Sequence, residues 1–302
     1  MAPSMVRGEH VDFAVDIASM LAGSAFLLSI RWAMHKVWTR DLAKRMMGLD
    51  KVEKLSKVDS NGVEKWCKYM WHLIVYVALF AWGVKIILTE EWSPLKTGTM
   101  DSCWEGYPQP AAEKPAVKHF HMAQVAWYMH GFVESLLVDN MRADFALMLV
   151  HHLLAACLLT GAFWGNAHRV AVVVCVEQDL SDILMYLSKM IQKASAVPWT
   201  QNKTLHAYLL YQLTIAWWCT RCVTLGTIVY RCFTIIGPTG LITPWGNNVD
   251  PLSTYLSAQL FLLFVMQVFW GMGLLKMCFD LTFKESWHDI FHDSKQKEGK
   301  KA

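Results

Sequence analysis

Seven apolar runs, each long enough to cross a lipid bilayer, limit the folds that this chain can adopt. A transmembrane helix needs about 20 mostly apolar residues to cross about 30 Å of hydrocarbon, and its backbone must satisfy its own hydrogen bonds there. The sequence therefore predicts an all-α, polytopic membrane protein with about seven transmembrane helices. The runs cover residues 11–34, 66–88, 119–138, 145–164, 169–191, 205–232 and 252–280.

Composition agrees with a membrane protein and excludes other classes. Of the 302 residues, 54% are hydrophobic and only 18% are charged, and 15 are Trp, which favours membrane interfaces. The net charge of +3 is small and dispersed over loops, which excludes a nucleic-acid partner. The eight Cys are scattered, so they define no disulfide framework. Cys219 and Cys222 supply only half of a zinc site, and we expect no metal.

Charges between the runs predict the orientation of the chain. The segment between the first two runs is basic, whereas the loop after the second carries Glu90, Glu91, Asp101 and Glu105. Because basic loops stay in the cytosol, we place residues 35–65 there and the amino terminus in the lumen or outside. Seven crossings then leave the Lys-rich C-terminal tail in the cytosol, which the same rule favours.

Three parts follow from this layout. Residues 1–64 comprise an N-terminal anchor helix and a basic cytosolic linker, and the first run lacks the basic leader and cleavage site of a signal peptide. Residues 65–283 comprise the membrane domain that would carry the chemistry. Residues 284–302 comprise a polar, Lys-rich cytosolic tail.

Two of the predicted helices carry ionisable groups at a similar depth. His151 and His152 lie about two turns inside the fourth helix, and Gln178, Asp179 and Asp182 lie about two to three turns from the same side of the fifth. Residues three and four apart share a helix face, and a short connection makes the two helices antiparallel neighbours. Because such groups are costly in lipid, they indicate function. We predict a His/Asp chamber that opens to the cytosol.

This chamber suits acyl transfer from a cytosolic donor to an acceptor in the membrane. A neutral imidazole can deprotonate an amine or attack a thioester to form an acyl-imidazole. A carboxylate on the other ring nitrogen fixes the tautomer and stabilises the imidazolium. A lone buried His is usually a packing residue, but two adjacent His that face two carboxylates favour the chemical role.

Several short motifs follow one another along the chain. The first group is Lys65, Trp66, Cys67 and Trp71, and the second is Cys103, Trp104, Gly106, Tyr107 and Pro108. An ungapped series then comprises Asp139, Arg142, Asp144, Phe145, Met148, His151, His152, Asn166, Arg169, Asp179, Ser181, Asp182 and Lys189. In this order and spacing, the chain resembles ceramide synthases of the TLC-domain superfamily across most of residues 65–283.

The resemblance implies N-acylation of a sphingoid base by acyl-CoA in the membrane of the endoplasmic reticulum. It implies a TLC-like helical bundle and catalytic roles for His151, His152, Asp179 and Asp182. Acyl-CoA would be a co-substrate, and no bound cofactor is expected. The sphingoid base, acyl-CoA and the bilayer would be the partners. The oligomeric state stays open, with a homodimer as one alternative.

One departure from the family pattern concerns its third histidine. The pattern has His-Asp where this chain has Gln178-Asp179, and Glu177 precedes them where an apolar residue is usual. Gln cannot act as a base, although it can donate and accept hydrogen bonds. An i,i+4 pair on the third helix, His130 and Glu134, could replace the missing group if that face points inward. The alternative for this pair is a polar contact between helices.

The remaining candidate residues support or bind the substrates. Tyr186 continues the face of the fifth helix that carries the two aspartates. Arg142, Lys189 and Lys193 lie at the predicted cytosolic ends of helices, where they could meet the phosphates of CoA or only anchor the helix. By the resemblance, Asn166 and Arg169 are further substrate-binding candidates.

Two other functions compete with acyl transfer. A non-catalytic TLC-domain protein, acting in lipid sensing or beside a translocon, would explain Gln178, although the retained histidine pair argues against it. Seven helices with Lys276 in the last suggest a retinal Schiff base with Glu134 as its counter-ion. Lys276 lies near the cytosolic end, however, where snorkelling is the ordinary explanation.

The orientation can be tested at a glycosylation sequon. Asn202-Lys203-Thr204 is the only N-x-S/T sequence of the chain, and the predicted orientation places it in the cytosol. We therefore expect no glycan at Asn202 when the full chain is inserted into microsomes, as read from the mass shift on glycosidase treatment. A glycan at this residue would invert the orientation.

Overall fold

A computed structural model of the chain describes residues 13–107, 115–138, 145–234 and 251–284. Every regular element in these ranges is helical, which confirms the all-α prediction. In chain order the α-helices are α1 Phe13–Met34, α2 Arg40–Met46, α3 Lys57–Thr89, α4 Pro94–Thr97, α5 Pro115–Val138, α6 Phe145–Trp164, α7 His168–Lys193, α8 Lys203–Trp217, α9 Leu225–Thr234 and α10 Pro251–Lys284.

Each of the seven predicted helices coincides with helical structure. The sixth differs in detail, because the π-helical segment Trp218–Thr224 separates α8 from α9. Four stretches in the described ranges are long and apolar enough to cross a membrane: Ala14–Met46, Lys57–Thr97, Phe145–Trp164 and Thr254–Phe283. The helices α5 and α7 are more polar, and most of their polar side chains are buried against other helices.

Local signals in the sequence account for several helix ends. The Ser56 hydroxyl accepts a hydrogen bond from the Asp59 amide at 3.1 Å and caps α3. The Asn202 side chain caps α8 in the same way, at 2.8 Å from the Thr204 amide. Between α6 and α7 the chain reverses within three residues, where Asn166 takes the left-handed conformation with φ 56°.

Packing places α3 and α7 at the centre of the bundle. These two helices make the most extensive contact in the described ranges, while α5 packs against α1 and α6, and α10 packs against α6 and α8. The predicted pairing of the fourth and fifth helices is weak. Although residues 165–167 join α6 directly to α7, the two diverge and each packs mainly on other partners. A cavity lies in the space between them.

The contact between α3 and α7 depends on a glycine. A Cβ atom at Gly83 would overlap the Val176 side chain and would lie 3.0 Å from Cζ of Phe120, which is fully buried. Because interiors are packed at crystal density, neither neighbour has room to move freely.

We therefore expect Gly83→Val to destabilise the protein by about 1–3 kcal/mol, the usual effect of overpacking. Ala81→Val is the matched control, because Ala81 lies on the same helix with its side chain exposed. Thermal unfolding of both variants in the same detergent measures the difference. Equal melting temperatures would show that α3 and α7 do not pack this closely.

Candidate functional site

An open cavity with an empty volume of about 1110 Å³ lies between α6 and α7, and we call it the chamber. Side chains from α3, α5, α6, α7, α8, α10 and the π-helical segment form its wall. Apolar groups predominate, and the polar lining residues include Tyr76, His151, His152, Asp182, Tyr186, Lys189 and Arg221. Three of the four predicted catalytic residues thus meet in one space.

The histidine pair forms the α6 side of the chamber. The two imidazole rings lie 5.6 Å apart between centroids, and the edge of His151 meets the Trp270 ring at 5.3 Å. His152 lies close to Gly131, where a Cβ atom would stand 3.1 Å from its Nδ1 atom. Nδ1 of His151 is buried and has no hydrogen-bond partner in the part of the chain that the structure describes.

Asp182 lines the chamber from α7 and is paired with Arg221. The Arg221 Nη2 atom lies 2.7 Å from Oδ2 of Asp182, and both side chains are nearly inaccessible. The carboxylate is therefore oriented by an arginine, and it lines the same chamber as the imidazoles.

Arg221 is the site residue that sequence reasoning missed. Its Nη2 atom donates to the Gln178 carbonyl at 2.7 Å, Nη1 donates to Oε1 of Gln267 at 3.2 Å, and Nε donates to the Ser181 hydroxyl. Its guanidinium also stacks 4.3 Å above the Trp217 ring. An arginine inside the apolar run 205–232 was itself a signal, because intramembrane charges mark functional sites.

The π-helical segment presents this arginine to α7. Its widened turns shift the side chains relative to an ordinary α-helix, and such turns occur often at functional sites. The Thr224 hydroxyl donates to the Cys219 carbonyl five residues earlier, at 2.9 Å. The two cysteines of the CxxC sequence flank Arg221, one exposed and one buried.

Asp179 and Gln178 lie behind the wall of the chamber. Oδ2 of Asp179 accepts a hydrogen bond from the Gln124 amide at 2.8 Å, and its side chain is fully buried. The Gln178 side chain is buried without lining the chamber, while its main-chain carbonyl binds Arg221. Gln178 therefore holds the arginine through a group that every residue type possesses.

Lysine and tyrosine residues lie at the end of the chamber nearest the C-terminus of α7. The Lys189 Nζ atom is 5.9 Å from the ring centroids of both Tyr69 and Tyr186. Tyr186 stacks on Tyr76 with 5.7 Å between centroids. Lys193 lies one turn beyond Lys189 and does not line the chamber. Arg142 lies outside the described residues.

Two of the substrate-binding candidates lie far from the chamber. Asn166 follows His151 by 15 residues, or about 22 Å along a helix. The Arg169 Nη1 atom donates to the Glu105 carbonyl at 2.9 Å and fastens the loop before α5 to the start of α7. Cys103 is buried in this loop, and burial raises the pKa of its thiol to about 12. These residues stabilise the end of the bundle opposite the histidines.

His130 and Glu134 belong to a separate buried cluster. Glu134 contacts Arg31 of α1 at 3.0 Å and Lys68 and His72 of α3 at 3.5 and 3.4 Å. Its Oε2 atom is 3.9 Å from Nδ1 of His130. The pair does not line the chamber and makes a polar contact between helices, which was the alternative considered for it.

The two other charged candidates do not reach the chamber. Oε2 of Glu177 is buried without a hydrogen-bond partner among the described residues, and the residue itself is partly exposed. Lys276 lies on the exposed face of α10, and Glu134 is engaged with α1 and α3. In the described residues, the exposed Lys276 is therefore not paired with the buried Glu134.

Comparison with known proteins agrees with the motifs. A family model described as TLC domain matches residues 65–276. Human ceramide synthase 5 is 28% identical over 131 residues, which make up 43% of this chain and 32% of that protein. Ceramide synthase hyl-1 of Caenorhabditis elegans is 24% identical over 249 residues, or 78% of this chain and 62% of that protein.

A third relative, human ceramide synthase 4, is 25% identical over 224 residues, which cover 73% of this chain and 52% of that protein. The chain thus spans less than two thirds of the length of each of these relatives. Because the family model matches more than half of the chain, the chain belongs to the TLC-domain family and is similar to ceramide synthases.

Proposed function

We propose that this protein is an acyltransferase that moves a fatty acyl group from acyl-CoA to the amine of a sphingoid base. The observation that carries the proposal is the chamber, which holds two histidines opposite a carboxylate with an arginine partner. The similarity to ceramide synthases supports the choice of these two substrates. The predominantly apolar wall suits the hydrocarbon chains of both.

The orientation of the protein is part of this proposal. Seven membrane crossings, by α1, α3, α5, α6, α7, the segment from α8 to α9, and α10, place the end of α7 in the cytosol. Lys189 and Lys193 then lie on the side from which acyl-CoA arrives. Their charges suit the phosphates of CoA. The amino terminus is lumenal, the C-terminus is cytosolic, and the membrane is that of the endoplasmic reticulum.

The chemistry needs one imidazole to make two proton transfers. His151 or His152 removes a proton from the attacking amine, whose nitrogen forms a bond to the thioester carbonyl carbon as the carbon–sulfur bond breaks. The same imidazolium then protonates the departing CoA thiolate. In a covalent variant, the imidazole first forms an acyl-imidazole and releases the thiol, and the amine attacks that intermediate.

Asp182 and Arg221 act on the charges that develop during transfer. The carboxylate stabilises the imidazolium in the chamber, and the arginine pairs with the carboxylate and fixes its position. Asp179 lies behind the wall of the chamber and accepts a hydrogen bond from Gln124 on α5. Its role is to hold α7 in register with α5, so that Asp182 faces the histidines.

A non-catalytic function is the second candidate. Gln178 replaces the histidine of the family pattern, and Asp179 and Asp182 are already engaged with Gln124 and Arg221. A lipid-binding chamber without turnover would tolerate both features. Turnover by the purified protein with a panel of acyl-CoAs and sphingoid bases decides between the two functions.

Loss of the histidines should abolish transfer without unfolding the protein. We expect His151→Ala or His152→Ala, whichever removes the reacting imidazole, to lower ceramide formation by about 10²–10⁴-fold, because general-base catalysis contributes that much. His35→Ala is the control, since His35 is partly exposed and pairs with Glu64 away from the chamber. Ceramide formation and melting temperature are measured for each variant. Near-normal activity of both chamber variants would contradict the mechanism.

Substitution of the two aspartates should separate chemistry from packing. Asp182→Asn leaves Arg221 buried without its counter-charge, and we expect it to lose activity and a large part of its stability. Asp179→Asn keeps an oxygen that can accept from Gln124. It should retain more activity and nearly the stability of the wild type. If Asp179→Asn lost more activity and more stability than Asp182→Asn, Asp179 would take part in the chemistry and Asp182 would only support the packing.

Gln178→His tests whether the departure from the family pattern limits the enzyme. Because Gln178 binds Arg221 through its carbonyl oxygen, the substitution leaves that contact intact. We expect unchanged or higher turnover with an unchanged melting temperature. A well-folded Gln178→His protein with much lower activity would show that the amide side chain itself is needed.

A further inference from the structure

The proposed transfer needs a hydrogen-bond donor for the carbonyl oxygen of the thioester. When a nitrogen attacks the carbonyl carbon, this oxygen carries a negative charge until the carbon–sulfur bond breaks. Enzymes of acyl transfer stabilise the charge with donors placed in advance, and removal of one such donor costs about 10²–10³-fold in kcat. We therefore looked for a donor that lines the chamber beside the histidines.

Helix α5 brings a tyrosine to the histidine pair. Tyr128 lines the chamber, and its ring lies 6.5 Å from the ring of His152, measured between centroids. One turn further along α5, His152 packs against Gly131, where a Cβ atom would lie 3.1 Å from both Nδ1 and Cε1 of the imidazole. A glycine inside a helix is unfavourable, and here it allows this close approach. Because residues three apart share a helix face, Tyr128 lies on the face of α5 that carries His152.

The hydroxyl of Tyr128 is unused within the protein. The residue is 8% exposed, and in the described part of the chain its hydroxyl has no hydrogen-bond partner, although protein atoms do not enclose the oxygen. The hydroxyl is within electrostatic range of Asp182 and Arg221. Buried tyrosines usually find a partner for this group, and a phenol can donate one hydrogen bond. The group is therefore free to donate to a ligand in the chamber.

Other donors that line the chamber are engaged or lie further away. Tyr76 and Tyr186 stack on each other, and both rings pack against His72. Arg221 already donates to four acceptors on α7 and α10. The donors beyond Asp182 on α7 begin about 9 Å along the helix from it, and they comprise Ser188, Lys189 and Gln192. Tyr128 is thus the donor that the geometry favours.

We propose that Tyr128 is a further catalytic residue, whose hydroxyl donates a hydrogen bond to the thioester carbonyl oxygen as that oxygen becomes an oxyanion. The inference rests on the proposed function. As the nitrogen–carbon bond forms, the π electrons of the carbonyl move to the oxygen. When they return, the carbon–sulfur bond breaks and the thiolate leaves. The phenol keeps its proton throughout, so the imidazole remains the group that transfers protons.

Tyr128→Phe tests the assignment, because it removes the hydroxyl and keeps the ring. We expect kcat for ceramide formation to fall by about 10²-fold. The KM for acyl-CoA should stay unchanged, because the hydrogen bond strengthens only as charge develops on the oxygen. The melting temperature should not fall, since the folded protein loses no hydrogen bond.

Tyr211→Phe is the matched control. The Tyr211 hydroxyl on α8 shares a hydrogen bond with the Thr282 hydroxyl at 2.7 Å, and the residue does not line the chamber. This variant loses the same atom and should keep the kcat of the wild type. An equal loss of kcat in both variants would overturn the proposal, because the effect would then not be specific to the chamber.

A second acceptor shows which substrate the hydroxyl binds. A sphingoid base carries hydroxyl groups near its amine, whereas octadecylamine carries the amine alone. If Tyr128 serves the carbonyl oxygen, Tyr128→Phe lowers kcat by the same factor with both acceptors. A loss confined to the sphingoid base would instead place the hydroxyl on the acceptor and overturn the proposal.

The kinetic constants with the sphingoid base decide the proposal even if octadecylamine is not acylated. A Tyr128→Phe enzyme with wild-type kcat, or with a higher KM for the sphingoid base and unchanged kcat, overturns it while the acyltransferase function stands. A wild type without acyl transfer overturns the proposed function and this inference together.

Discussion

The buried ion pair between Arg221 and Asp182 is the interaction on which the chamber depends. In surroundings of low dielectric constant an unpaired charge costs several kcal/mol, so each partner requires the other. The guanidinium also binds the Gln178 carbonyl, the Ser181 hydroxyl and Gln267, which ties α7 to the π-helical segment and α10. Because α7 is held from that side, it can diverge from α6 and leave a cavity between them.

Much of this arrangement could be predicted from the sequence, and the failures have identifiable causes. The apolar runs predicted the helix positions. The similar depths of the ionisable groups in the fourth and fifth helices predicted that the histidine pair and Asp182 share one space. Asp179 and Asp182, three residues apart, differ by about 60° around a helix, so one faces Gln124 and the other the chamber. Sequence spacing alone does not show which of the two aspartates faces the chamber. The partners of Arg221 depend on a π-helical segment, and the periodicity of a uniformly apolar run does not reveal one.

Two charged residues of α1 lie outside the region that the family model matches and pair with charged residues inside it. Residues 65–276 match the family model, yet Arg31 of α1 contacts Glu134, and Asp16 of α1 contacts Lys118. An aromatic layer that includes Tyr76 separates the Glu134 cluster from the Arg221 pair. The first helix is therefore more than an anchor, because it supplies Arg31 to the buried Glu134 and Asp16 to the partly buried Lys118.

The buried side chain of Gln178 lowers the folding stability of this bundle. Its buried amide nitrogen has no hydrogen-bond partner among the described residues, and such a group costs about 1–3 kcal/mol. The main-chain carbonyl at this position would bind Arg221 equally well if the side chain were apolar. Folding stability alone therefore gives no reason for a glutamine here. Natural proteins accept such local conflicts mainly at functional sites, and this conflict lies directly beside the Arg221–Asp182 pair.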